Sequence, residues 1–286
     1  MKKNILNSII IFIKGFLMGM ADIIPGVSGG TIALITGIYD KLIYSISEIN
    51  FTFIFDFIKK DYKSSLKNFK RINLLFFIPL ALGIGIAMIL MSGLIENLLD
   101  TKTALIYSFF FGLILASAFF VFKKIRNFHA STIISSIIGL IFAFSIIGLG
   151  VMDMLGNSLP VLFFSGAIAI CAMILPGISG SFILLLLGQY KEVLNMIHNL
   201  DIVKIITFGL GALTGILSFS KLLNFLLKRY HCQTMGFLTG LMIGSLRLPY
   251  IRITENMISI NYVIISALIG FILVFVLETI FQKKKN

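Results

Sequence analysis

The sequence predicts an all-α polytopic membrane protein made of two inverted repeats. Each repeat is a broken, re-entrant helical hairpin followed by three transmembrane helices. Three observations carry this expectation. The 286 residues are 58% hydrophobic and only 13% charged, about half the charge of a soluble domain, with a mean hydropathy of +1.04. Apolar runs over residues 74–93, 104–122, 132–151, 205–227 and 263–277 each approach the roughly 20 residues that a bilayer requires. The stretch Pro25-Gly26-Val27-Ser28-Gly29-Gly30-Thr31 recurs as Pro176-Gly177-Ile178-Ser179-Gly180-Ser181 inside a second apolar segment.

In chain order, residues 5–24 read as an apolar helix interrupted by Lys14. Met1-Lys2-Lys3 ahead of it mimics a secretory signal, but Lys14 breaks the run and no small-residue cleavage site follows. The residue before a proline is pushed out of the α region, so this helix is expected to stop at Ile24. Ser28 is then a good N-cap for a second helix reaching Tyr39. From Gly15 to Ile24 is ten residues and from Ser28 to Tyr39 twelve. At about 1.5 Å per residue each arm covers about half of a ~30 Å core, as in a re-entrant hairpin. A kinked pair of full spans is the alternative.

Residues 42–71 combine Phe51, Phe53, Phe55 and Phe57 with Lys59, Lys60, Lys63, Lys67, Lys70 and Arg71. They read as an interfacial segment and a basic loop. Spans follow at about 74–95, 103–122 and 131–151. A second hairpin covers 160–190, and further spans lie at about 204–227, 233–249 and 260–280. The whole chain, 1–286, is thus one membrane domain, with repeat 1 at about 5–151 and repeat 2 at about 160–280.

A shift of 151 residues aligns positions 15–46 with 166–197, and 12 of these 32 pairs are identical. Beyond the hairpins the shift falls to 128, where Leu82-Gly83 meets Leu210-Gly211 and Gly112-Leu113 meets Gly240-Leu241. Each half crosses the membrane an odd number of times, whether its hairpin re-enters or spans. The second half therefore starts on the opposite face, which makes the repeats inverted. With the N-terminus inside, the inside segments hold 16 Lys and Arg residues and the outside segments five. This is the expected positive-inside bias, with both termini cytoplasmic. The net charge of +12 belongs to these loops and not to a nucleic-acid surface.

Lipid cannot satisfy backbone groups freed by a Pro-Gly break, so that backbone is buried in protein or lines a wet cavity. Two half-helix N-termini at mid-membrane, begun by Gly29-Gly30-Thr31 and Gly180-Ser181, suit an anion such as phosphate. Ser28, Thr31, Ser179 and Ser181 add hydroxyls, and Pro25, Gly26, Pro176 and Gly177 form the turns. Asp22 reads either as a proton-coupling group or as a local partner for the broken backbone. Arg247 reads either as a phosphate ligand or as an interfacial cation; Lys14 offers the same two readings, with the snorkelling one favoured. Tyr39 and Tyr190 match across the repeats and suit the membrane interface. No Walker loop, paired carboxylates or metal-ligand spacing occurs in the sequence, and Cys171 and Cys232 form no motif; no cofactor and no metal are expected.

The run Gly19-Met20-Ala21-Asp22-Ile23-Ile24-Pro25-Gly26-Val27-Ser28-Gly29-Gly30-Thr31 is followed by Gly37-Ile38-Tyr39. Together with Pro176-Gly177-Ile178-Ser179-Gly180-Ser181 and Gly244-Ser245-Leu246-Arg247, it resembles the bacterial polyprenyl-phosphate transporter family. The resemblance covers essentially the whole chain. Leu248-Pro249-Tyr250 departs from the tryptophan-containing sequence of that family. The resemblance implies a plasma-membrane translocase that returns undecaprenyl phosphate, the lipid carrier of cell-wall synthesis, from the outer to the inner leaflet. Two rivals are a small inorganic anion transporter or channel and a polyprenyl-diphosphate phosphatase. Such phosphatases carry an Arg after the Pro-Gly-x-Ser element, where this chain has Gly29 and Gly180.

Overall fold

The computed structural model describes residues 2–24, 27–49, 56–69, 72–123, 125, 129–148, 156, 158–256 and 259–282. Pro25, Gly26, Phe51, Phe53, Phe55, Lys70, Arg71, Lys124, Arg126 and the terminal lysines lie outside the described residues. The chain is all helical where it is described. The first hairpin comprises α1 (Lys2–Ile23), α2 (Gly29–Ile35) and α3 (Tyr39–Ser47). The basic segment carries α4 (Tyr62–Phe69), and long helices α5 (Leu74–Thr101), α6 (Thr103–Lys123) and α7 (Ala130–Gly148) follow. The second half contains α8 (Leu159–Ile174), α9 (Gly180–Leu186), α10 (Tyr190–His198) and α11 (Ile202–Arg229). It ends with α12 (His231–Ser245), α13 (Arg247–Glu255) and α14 (Ile260–Gln282).

Five described helices are long and apolar enough to cross a bilayer, and α8 and α14 add shorter apolar stretches. Their outer faces are apolar and exposed. On α7 these include Ile133, Ile134, Ile137, Ile138 and Ile141, all more than half accessible. In water such a surface would be an aggregation site; in lipid it is simply solvated. The protein is therefore a polytopic α-helical membrane protein.

Proline and glycine set the ends of the short helices. α1 stops at Ile23, next to the expected Ile24, and runs straight past Lys14. It is longer than the ten-residue arm read from the sequence. α2 is shorter than expected, seven residues ending at Ile35 rather than Tyr39. The reason is Gly37, whose φ of +71° gives the left-handed helix-ending turn. The Ile38 N–H closes that turn on the Ala33 carbonyl at 2.9 Å. Gly188 (φ +68°) ends α9 the same way, with the Gln189 N–H on the Leu184 carbonyl at 2.9 Å.

Element boundaries fall on the two sequence shifts. Gly29–Ile35 and Tyr39–Ser47 lie 151 residues before Gly180–Leu186 and Tyr190–His198, and Leu74–Thr101 lies 128 before Ile202–Arg229. Packing follows the same correspondence: α1 lies along α5 as α8 lies along α11. Glycines permit both approaches. A Cβ on Gly15 would strike the Leu80 backbone and one on Gly83 the backbone of Phe12 and Phe16. Gly166 and Gly211 meet the backbones of Phe208 and Phe163 in the second half. Close backbone approach through small residues drives helix association in lipid. The remaining long helices exchange partners between halves, α6 with α14 and α7 with α12, a reciprocity characteristic of two-fold related contacts.

One departure matters for the site. α6 is continuous, whereas its counterpart splits at Leu246 into α12 and α13. The sequence reading ran one span through to 249; the structure ends it at Ser245 and starts a second helix. Pro249 explains the break, because it has no N–H for the Ser245 carbonyl and its ring crowds that residue. Tyr39 also differs from expectation: it is buried in the core at 1% exposure, not at an interface.

Candidate functional site

The two Pro-Gly-x-Ser-Gly breaks come together. Ser28 caps α2 as the sequence predicts, its Oγ accepting from the Gly30 N–H at 3.1 Å. The same hydroxyl donates to the Leu175 carbonyl at 3.0 Å, just before the second break. In return the Gly177 N–H donates to Thr31 Oγ1 at 3.0 Å. The hydroxyls of the first break thus satisfy backbone groups freed by the second, while the first break's own Gly29 and Gly30 amides are met by Asp22 and Ser28. Gly30 is needed for this approach: a Cβ there would sit 2.7 Å from the Ile174 carbonyl oxygen. Ser28, Thr31 and Ser179 are almost fully buried, so these polar groups are hidden from lipid within protein.

Ser179 behaves differently from its twin. It holds the N-cap position with an extended backbone, yet its hydroxyl makes no cap bond. It pairs instead with Ser181 Oγ at 2.8 Å. Asp22 settles into the first hairpin, where its Oδ1 accepts from the Gly29 N–H at 2.6 Å. Lys14 lies two turns earlier on α1, buried, and its Nζ donates to the Thr36 carbonyl at the far end of α2. Eight residues of helix span about 12 Å, close to the length of α2. A carboxylate therefore meets the positive end of α2 and an ammonium its negative end, the favourable sense of the helix dipole at both. The repeat partners of these two residues are Met173 and Ser165, so the second hairpin lacks the clamp.

Beside the crossed breaks lies a cavity of about 330 Å³. Its polar lining is Asp22, Tyr107, Ser181, Tyr190 and Arg252, so that Tyr190, expected at the membrane interface, instead faces this cavity; its apolar lining is Ile23, Phe182, Leu185 and Leu248. A mostly apolar pocket with a few convergent polar groups is the usual form of a ligand site. Of the residues expected at the site, Asp22 and Ser181 reach this cavity. Ser28, Gly30, Thr31 and Gly177 bond to each other or to neighbouring backbone, whereas Gly29 bonds to the Asp22 carboxylate and Ser179 to the Ser181 hydroxyl. Pro176 and Gly180 are buried in the same layer.

Arg247 is not among the lining residues. Its Nη1 donates to the Phe144 carbonyl at 2.7 Å and its guanidinium lies 4.3 Å from the centre of the Phe144 ring. It anchors the start of α13 on the end of α7, and its neighbour Leu248 faces the cavity. Tyr107 and Arg252 were not singled out from the sequence. Tyr107 sits unmarked within an apolar run, and Arg252 falls between the spans expected at about 233–249 and 260–280. Pro249 was the signal, since a proline fits the first turn of a new helix.

The model of the undecaprenyl phosphate translocase-like family matches residues 18–262. Over 243 residues the chain is 46% identical to a polyprenyl-phosphate transporter of Vibrio cholerae serotype O1, covering 84% of this chain and 77% of that protein. It is 32% identical over 280 residues to a polyprenyl-phosphate transporter of Staphylococcus aureus, covering 91% and 92% of the two chains. No solved structure matches. The two crossed breaks, Asp22 and Arg252 all fall inside the matched region, and the chain belongs to the undecaprenyl phosphate translocase-like family.

Proposed function

We propose that this protein is a lipid translocase, not an enzyme, that moves undecaprenyl phosphate from the outer to the inner leaflet of the bacterial plasma membrane and so recycles the carrier for cell-wall synthesis. The observation that carries the proposal is the pair of crossed breaks beside the cavity of about 330 Å³ that Arg252 and Asp22 both line. A phosphate monoester cannot cross hydrocarbon unaided, whereas its prenyl tail is at home there. A central polar site open laterally to lipid carries the head and leaves the tail outside.

The two halves act as inverted repeats around that site, both termini cytoplasmic, with the hairpins re-entering at mid-membrane. Pro25, Gly26, Ser28, Gly29, Gly30, Thr31, Pro176, Gly177, Ser179, Gly180 and Ser181 form the head-group cradle. The amides of Gly29, Gly30 and Gly177 and the hydroxyls of Ser28, Thr31, Ser179 and Ser181 bond internally, so binding of a phosphate exchanges these partners and couples occupancy to the arrangement of the two breaks. Asp22 is the group that a phosphate displaces from Gly29, which makes it the candidate for proton coupling. Arg247 holds α13 in place for the cradle. The relatives' names and the family model support a phosphorylated polyprenol as substrate. The test is to deplete the protein in cells and count undecaprenyl phosphate at the outer leaflet. The proposal expects accumulation there; an unchanged level refutes it.

A further inference from the structure

α13 has no continuous-helix counterpart in the first half; it exists because Pro249 breaks the chain at Leu246. The break turns α13 onto α6 and brings Arg252 to the wall of the cavity that Asp22, Tyr107 and Ser181 also line. Among the described residues Arg252 is the one cation on that wall. Its Nη1 bonds Glu255 Oε2 at 3.2 Å, three residues along the same helix, and both side chains are about half exposed. Among the described residues the guanidinium has no other hydrogen-bond partner. A pair of this kind contributes little, about 0–1 kcal/mol, so its arginine is available to a stronger acceptor. The planar guanidinium fork matches two oxygens of a tetrahedral phosphate.

We infer that Arg252 is the residue that captures the phosphate group of the ligand in this cavity, with Glu255 as the counter-charge that it leaves on binding. The inference rests on the proposed function for the identity of the ligand as a lipid phosphate. On the orientation proposed above, α13 lies at the outer side, where it meets a head group coming from the outer leaflet. Ser181, with its hydroxyl on the same wall, completes the contact from the second hairpin. The chemistry recognised is a phosphate oxyanion, whether it is borne by a lipid or free in solution.

The experiment measures binding of farnesyl phosphate, inorganic phosphate and farnesol to the purified full-length protein in nanodiscs. Arg252→Gln is expected to weaken farnesyl phosphate binding by about tenfold to a hundredfold while farnesol binding stays unchanged, which also reports an intact fold. Arg252→Lys is expected to fall between. Glu255→Gln, which frees the arginine, is expected to strengthen farnesyl phosphate binding. Arg229→Gln, the same charge change at the end of α11, is expected to leave it unaltered. Wild-type binding that persists undiminished in Arg252→Gln overturns the inference and leaves the proposed function standing. Equal wild-type affinity for inorganic phosphate, lost in Arg252→Gln, upholds the inference and counts against a lipid substrate. A wild-type protein that binds neither phosphate overturns both.

Discussion

Thr31 joins the two breaks through one oxygen. Its Oγ1 is the acceptor for the Gly177 N–H in a layer where Thr31 itself is fully buried. Removing that acceptor leaves an amide unsatisfied in the core, which costs about 1–3 kcal/mol. Thr31→Val, nearly the same size, is expected to lower the unfolding temperature in detergent, and Thr31→Ser to restore most of it. Equal stability of the valine variant would show that the cross-bond does not hold the breaks together. The glycines at the breaks give a functional counterpart. A side chain at Gly29 would collide with the Asp22 carboxylate, and one at Gly180 would lie 2.7 Å from the Ala169 carbonyl oxygen. Gly29→Leu and Gly180→Leu are expected to abolish transport while protein remains in the membrane, read by a leaflet assay alongside quantitative membrane immunoblots.

Among elements, α2 is the most tightly specified. Seven residues are too few for a stable isolated helix, so its neighbours must supply its stability. Ser28 caps it, Gly37 ends it, and α1 places Asp22 and Lys14 at its two poles. Asp22→Asn and Lys14→Met are each expected to lower thermal stability. The double variant is expected to lose less than the sum, because both charges act on one short helix. Strict additivity in that cycle would argue against a shared clamp. The paired glycines make a second prediction at this scale. Gly83→Leu and Gly211→Leu occupy equivalent crossings, α1 on α5 and α8 on α11. Both are expected to reduce the yield of folded protein, measured by size-exclusion profile, to similar extents.

For the whole molecule, the long helices were legible because a bilayer imposes length and apolarity on each of them. The two breaks were legible because Pro-Gly-x-Ser-Gly has no place inside a lipid-facing helix. The partners of those breaks were not legible. That Thr31 would reach Gly177 and Ser28 would reach Leu175, about 146 residues away in each case, depends on tertiary packing, on which local pattern carries no information. Arg252 was hidden for a different reason: Pro249 was read as the end of a span and not as the first turn of another helix. The orientation rests on loop charge and has a direct check. In a protein with Cys171 and Cys232 replaced by serine, Lys60→Cys is expected to react with a membrane-impermeant thiol reagent only after permeabilisation of intact cells. Lys191→Cys is expected to react without it. The opposite pattern would invert the assignment of faces.

The central claim is that the crossed breaks move a lipid phosphate between leaflets. Its most direct test reconstitutes the purified protein in vesicles with a labelled polyprenyl phosphate whose outer-leaflet fraction is measured with an impermeant quencher or phosphate-binding reagent. The account predicts that the unprotected fraction redistributes between leaflets in vesicles holding the wild-type protein, and stays at its starting value with Gly180→Leu. Identical time courses in wild-type, Gly180→Leu and protein-free vesicles would contradict it.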